Sequence, residues 1–93
     1  MQIEAGARVI DIGCGPGVDT IELAGRVGPQ GHVIGIDADP RMVAAANPAA
    51  TKAGLGERVQ HFVASSLSLP FVKGRFDACR CDRVLQHLSR RDG

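Results

Sequence analysis

The stretch Val9–Gly17, VIDIGCGPG, constrains this chain more than any other. Val9, Ile10 and Ile12 run directly into glycines at 13, 15 and 17, with Asp11 one step before the apolar run ends. β-branched side chains favour extended backbone, and glycine opens the left-handed conformations that a tight turn requires. Near-continuous apolarity is expected of a strand in a parallel sheet covered on both faces. The stretch therefore reads as a strand from Arg8 to Ile12 feeding a turn over Gly13–Gly17, the floor of a ligand pocket.

The segments that follow repeat this grammar. Val18–Val27 has helical spacing, with Ile21, Ala24 and Gly25 on one stripe, Leu23 and Val27 beside it, and Gly28-Pro29 to stop it. His32–Ile36 is a second apolar strand ending at Asp37. Asp39-Pro40 is a strong helix start, because the carboxylate caps free N–H groups and a first-position proline loses nothing by lacking its own. Within Met42–Gly54, Asn47-Pro48 interrupts the pattern, so the expectation is a second short helix capped by Asn47, with a kinked single helix as the alternative. Val59–Val63 and Phe76–Cys81 read as third and fourth strands separated by a loop over Ser65–Pro70. Asp82 then caps a final helix facing the core with Val84, Leu85 and Leu88. The order βαβαββα implies an α/β fold with a mostly parallel sheet and right-handed crossovers. At 93 residues the chain is a single domain with a modest core.

Composition excludes several classes of function. A net charge of +1, no Trp or Tyr and only three Phe leave neither an electrostatic footprint nor stacking platforms for nucleic acid, although Lys73, Arg75, Arg80, Arg83, Arg90 and Arg91 make the last third locally basic. No apolar run is long enough for a membrane span, and Glu4 and Arg8 interrupt any signal-like segment, so a cytoplasmic protein is expected. Cys14, Cys79 and Cys81 are odd in number and too few for a zinc site without partners, so they read as reduced thiols and no metal is expected.

On such a sheet the chemically distinctive residues converge. The glycine turn follows strand one, Asp37 follows strand two, Ser65 and Ser66 follow strand three, and Cys81-Asp82 follows strand four. All stand at carboxyl ends, where open α/β sheets bind ligands. A dinucleotide fingerprint needs a glycine at its sixth position, where this chain has Val18, and no Gly-Lys-Ser/Thr follows the turn to cradle a triphosphate. What remains is a nucleoside-containing ligand that needs no pyrophosphate cradle. The two carboxylate oxygens of Asp37 suit two ribose hydroxyls, and Asp11 suits either an ammonium group or a brace for the turn.

VIDIGCGPG, Thr20 with Leu23-Ala24, GIDADPRMV at 35–43, LPF at 69–71 and FDACRCDRVLQHL at 76–88 together resemble the class I S-adenosylmethionine-dependent methyltransferases, nearest to their small-molecule and ubiquinone-biosynthesis-like branch. The resemblance covers nearly the whole chain. It implies S-adenosylmethionine as cofactor, Gly13, Gly15 and Gly17 beneath its methionine part, Asp11 as the acid preceding them, and Asp37 as the ribose-binding acid. Ala38 and Met42 match apolar positions near adenine, and the backbone of Cys81 matches one facing the cofactor's amino group. Ser65 and Ser66 fall where the family has an acidic residue and a small one, so the Ser65 hydroxyl offers a single uncharged acceptor to adenine.

The implied reaction is methyl transfer from sulfonium to an acceptor, expected to be a small molecule, with no catalytic residue assigned. The alternative is a cofactor-binding module or non-catalytic fragment completed by a partner chain or a missing half. His32 and His61 read as structural, and His87 as a solvated helix histidine before a general base. The expected fold is a Rossmann-like sheet of order 3-2-1-4 with flanking helices, residues 1–93 forming the N-terminal core and lacking the last three strands of the family. Strand four is then an open edge, through which a homodimer is expected.

Overall fold

The computed structural model describes residues 6–65, 74–81 and 84–88. Five strands and two helices follow in the order β1 (Arg8–Ile12), α1 (Val18–Val27), β2 (His32–Asp37), α2 (Pro40–Lys52), β3 (Val59–Val63), β4 (Ala78–Cys81) and β5 (Val84–His87). They form one sheet of order β3-β2-β1-β4-β5. β1 is flanked in parallel by β2, with Asp11 opposite Gly35, and by β4, with Asp11 opposite Arg80. β2 pairs in parallel with β3. The order 3-2-1-4 expected from the sequence is present, with β5 added beyond it.

Alternation along β1 divides the core. Val9 faces α1 and α2, packing with Leu23, Ala24, Val27, Val33, Ala50, Val59 and Ala78. Ile10 faces the opposite side, with buried Phe76 and the partly buried Ile12, Ile34, Cys79 and Leu88. Both described helices therefore lie on one face, as two successive right-handed crossovers moving in the same direction require. The buried stripe of α1 is Thr20, Leu23, Ala24 and Val27, and Gly25, expected on that stripe, is exposed.

Three expectations are corrected. Pro40–Lys52 is one continuous helix with Pro48 inside it. Asn47 does not cap a second helix. Its side chain donates Nδ2–H to the His61 carbonyl at 3.2 Å and accepts the His61 N–H at 2.9 Å. The amide thereby satisfies the outer edge of β3 as a neighbouring strand would, a gain that opposes the mid-helix proline cost of about 3 kcal/mol.

Second, Val84–His87 is a strand antiparallel to β4, with Cys81 opposite Val84 and Ala78 opposite His87. A helix of one or two turns is marginal alone, whereas pairing with β4 satisfies a row of backbone groups at once. Asp82, expected to cap that helix, lies outside the described residues. β4 also begins at Ala78 rather than Phe76.

Third, the edge of β4 is not open, because β5 occupies it. The homodimer expected through that edge loses its physical basis.

Candidate functional site

The carboxyl ends of β1, β2 and β4 surround a cavity of about 590 Å³, within the range of small-molecule and cofactor sites. Its wall includes Asp11, Gly13, Gly15, Asp37, Ala38, Ser65, Arg80 and Cys81. The turn that forms its floor hangs from β2. The N–H groups of Gly13 and Cys14 both donate to the Ile36 carbonyl, at 2.8 and 2.9 Å. Gly13 and Gly15 have φ of 78° and 62°, in the left-handed region that favours glycine.

Asp37 locks this arrangement. Its Oδ2 accepts the Gly15 N–H at 3.0 Å and its Oδ1 accepts the Asp39 N–H at 2.9 Å. An ionised carboxylate has about four acceptor positions, so two hydrogen bonds leave capacity for two hydroxyl donors. Asp39 is the cap of α2, as expected, accepting the Arg41 N–H at 2.9 Å.

The glycines divide their tasks. Gly17 does not line the cavity; it has φ of 103°, and a Cβ there would meet Ala46 Cα of α2 at 3.0 Å. Its role is close packing of the turn on α2. Met42, matched by resemblance to a position near adenine, is likewise absent from the cavity wall, whereas Ala38 is part of it. Ser65 lines the cavity and Ser66 lies outside the described residues. The backbone of His87, expected on a helix, pairs at the amino end of β4, opposite to the end that forms the site.

Asp11 is 2 % exposed, and its Oδ2 has no hydrogen-bond partner. Its carboxyl is pushed up to about 6, chiefly by burial, with Arg80 opposing the rise and Asp19 adding to it. The turn is braced by Asp37, which leaves Asp11 as an anion facing the cavity. Beside it stands Arg80, which sequence reasoning missed. Arg80 Nε lies 3.5 Å from Asp11 Oδ1, and Nη2 lies 2.6 Å from Asp19 Oδ2 at the start of α1. The available signal was alternation: Arg80 shares its face with Ala78, so a cation sits at a core-facing position of an interior strand.

Behind the turn a polar network of buried Thr20 and His61 with the more exposed Asn47 joins α1, α2 and β3. His61 Nδ1 lies 2.9 Å from Asn47 Oδ1, and His61 Nε2 lies 2.7 Å from Thr20 Oγ1. Because Asn47 Oδ1 only accepts, Nδ1 carries the proton and Nε2 of the neutral ring is an acceptor beside the Thr20 hydroxyl, which also lies 3.0 Å from the Gly17 carbonyl as a donor. Burial lowers the His61 pKa, in keeping with this neutral ring. His61 is structural, as expected. Gly35 makes the room, for a Cβ there would meet His61 Cδ2 at 2.7 Å and Cys14 Cβ at 2.8 Å. The Cys14 thiol is pushed up to about 11 by burial and by the nearby Asp11 and Asp37 carboxylates, which removes it as a nucleophile at neutral pH.

The donor set fits a nucleoside bearing an amino-acid tail: a glycine floor, a carboxylate with free acceptor capacity, and a buried anion, Asp11, whose Oδ1 is ion-paired with a guanidinium and whose Oδ2 has no hydrogen-bond partner. No group of His, Cys, Asp and Glu among the described residues is arranged to hold a metal ion.

Residues 9–93 match the methyltransferase domain family. The chain is 40% identical over 89 residues to an uncharacterised 37.1 kDa protein in a transposon of Streptomyces fradiae, covering 90% of this chain and 24% of that protein. It is 32% identical over 77 residues to demethylmenaquinone methyltransferase of Listeria monocytogenes, covering 83% of this chain and 32% of the relative. A SAM-dependent methyltransferase from Aquifex aeolicus superposes with a TM-score of 0.72 at 28% identity, over 84% of this chain and 41% of the other. The chain thus spans from a quarter to a third of these curated relatives. With glycine turn, β2 acid and sheet order all in agreement, the chain belongs to the methyltransferase domain family.

Proposed function

We propose that the protein is an S-adenosylmethionine-dependent methyltransferase whose cofactor lies across the carboxyl ends of β1, β2 and β4. The observation that carries this reading is Asp37, held by two backbone N–H groups and still able to accept two hydroxyls. In this reading Asp37 takes the ribose, Gly13 and Gly15 let the backbone pass close beneath the methionine part, and Ala38 and Ser65 border the adenine. Asp11 takes the ammonium group. Gly17 supports the turn from behind, and the Cys81 backbone closes the site from β4.

When bound, S-adenosylmethionine supplies a methyl group on a positively charged sulfur, ready for direct transfer. The chain's own contribution is alignment. Holding the electrophile in one orientation converts an encounter into an intramolecular step, an effect potentially worth about 7 to 11 kcal/mol. We name no catalytic side chain among the described residues.

A small-molecule acceptor is favoured by the demethylmenaquinone methyltransferases among the relatives and by the chain's net charge of +1 without Trp or Tyr. No helix among the described residues is long and apolar enough to cross a membrane, and Cys14, Cys79 and Cys81 are free thiols, which fits a cytoplasmic site of action. Calorimetric titration with S-adenosylhomocysteine tests the proposal. Saturable 1:1 binding supports it, and absence of heat at millimolar ligand contradicts it. Binding without methyl transfer to any acceptor favours the cofactor-holding module instead.

A further inference from the structure

Thr20 and His61 are 0% and 3% exposed, so bulk water does not serve either side chain and their polar atoms depend on each other. The β3 backbone sets the orientation of the Asn47 amide, whose Nδ2–H donates to the His61 carbonyl and whose Oδ1 accepts the His61 N–H. The same Oδ1 lies 2.9 Å from Nδ1, which therefore carries a proton in both charge states of the ring. Only Nε2 is left to gain or lose one.

Nε2 lies 2.7 Å from Thr20 Oγ1, which is also 3.0 Å from the Gly17 carbonyl. While the ring is neutral, the hydroxyl has one proton and faces two acceptors. Directed to Nε2, that proton leaves the Gly17 carbonyl to the Ile21 N–H at 3.1 Å. Directed to Gly17, it sets the lone pairs of Oγ1 and Nε2 against each other. A second ring proton removes the conflict without moving an atom: Nε2–H donates to Oγ1, and the hydroxyl donates to the Gly17 carbonyl.

Burial opposes the charged ring and lowers the His61 pKa from 6.5. The ring meets Thr20 from α1, Asn47 from α2 and, across Gly35 of β2, Cys14 of the glycine turn. Cys14 is the titratable group in that set, and its thiol, pushed up to about 11, stays neutral. The Asp11 and Asp37 carboxylates bear on Cys14, and no charged group among the described residues contributes to the His61 shift.

We infer that His61 and Thr20 form a proton-operated switch on the glycine turn: with the ring neutral the Thr20 hydroxyl serves His61, and with the ring protonated it serves the Gly17 carbonyl. Gly17 is where the turn packs on Ala46 of α2, so protonation ties β3 through α1 to the base of the pocket floor. The switch acts on the chain's own turn and stands whether or not the cofactor reading holds.

The test follows the ¹⁵N resonances of the His61 ring, the Gly17 carbonyl carbon and the Ile21 amide in the whole protein from about pH 8 to about pH 4. Gly17 and Ile21 should titrate with the midpoint of His61, below pH 6.5. Thr20→Val, of similar volume but without the hydroxyl, should lower that midpoint by about 1 pH unit, the difference between a hydrogen bond to a charged ring and one to a neutral ring, and abolish the response at Gly17. Thr20→Ser keeps the hydroxyl and should keep both. If Thr20→Val does not fold, as judged by circular dichroism, Thr20→Ala carries the same expectation. A Gly17 response that persists without the hydroxyl belongs to another group, such as the Asp11 carboxyl, and overturns the inference. So does an unchanged His61 midpoint in that variant, or a ring that stays neutral down to acid unfolding.

Discussion

Asp37 Oδ2 accepts the Gly15 N–H at 3.0 Å, so the acid at the end of β2 holds the glycine turn at the end of β1. The residue proposed to take the ribose is thus also a structural member of the pocket floor. Asp37→Ala removes the acceptor for two backbone N–H groups, at about 1.5–3 kcal/mol for a hydrogen bond to a charged group. We expect a lower melting temperature together with loss of S-adenosylhomocysteine binding. Asp37→Asn retains one acceptor oxygen and should recover stability more than affinity. Thermal denaturation beside calorimetry checks this, and an Asp37→Ala protein with unchanged affinity would remove Asp37 from the site.

Asp11 predicts a conflict between stability and binding. Its carboxyl rises from 3.8 to about 6 on folding, so the folded state binds the proton more tightly. The sign follows from linkage: this contribution to stability is fully present below pH 3.8 and is lost as pH rises through about 6. Replacing Asp11 by Asn removes the titration. Relative to the variant, the parent protein should lose stability between about pH 4 and pH 6 and stay flat above, as read by urea denaturation. At neutral pH the ligand-free variant should be at least as stable as the parent but bind the cofactor more weakly.

His61 has the opposite dependence. Burial lowers its pKa, so the unfolded chain takes up a proton first as pH falls below the ordinary value of 6.5. The stability it contributes as a neutral ring is present above pH 6.5 and declines as pH falls from there through the folded value. His61→Ala breaks the links to Asn47 and Thr20 and should cost about 1–3 kcal/mol at pH 8, with a smaller difference at pH 5. Histidine proton resonances followed against pH report the depressed titration directly.

Gly17 and Gly54 separate backbone strain from crowding. Both have positive φ, 103° and 79°, but a Cβ at Gly17 would meet Ala46 Cα at 3.0 Å, while Gly54 has nothing within 4 Å. Gly54→Ala should cost about 1–2 kcal/mol for the left-handed conformation alone. Gly17→Ala should cost more and should also weaken cofactor binding, because the turn must shift from α2. Equal denaturation midpoints for the two variants would contradict this assignment.

The parts of the fold legible in the sequence are those where local signals agree. β1, its glycine turn and α1 were readable because β-branched residues, positive-φ glycines and the Gly28-Pro29 stop all point the same way. Where a tertiary partner decided, the sequence was silent. Pro48 signals a break, but the bonds from Asn47 to His61, 14 residues away, hold the helix continuous. Val84–His87 has helical apolar spacing, but pairing with β4 outweighs it. In the site, Asp37 and the glycines carry recognisable spacing. Arg80 does not, because its meaning depends on register with Asp11 and proximity to Asp19, which no local pattern encodes.

The central claim is that S-adenosylmethionine binds at the carboxyl ends of β1, β2 and β4. The most direct test is a titration of ¹⁵N-labelled protein with S-adenosylhomocysteine, followed through assigned backbone amide resonances. The account predicts saturable shifts at Gly13, Gly15, Ala38, Ser65 and Cys81, with Gly28 and Gly54, which do not line the cavity, unmoved. No shifts at saturating ligand, or shifts confined to the separate hollow formed by Thr51, Gly56 and Gln60, would contradict it.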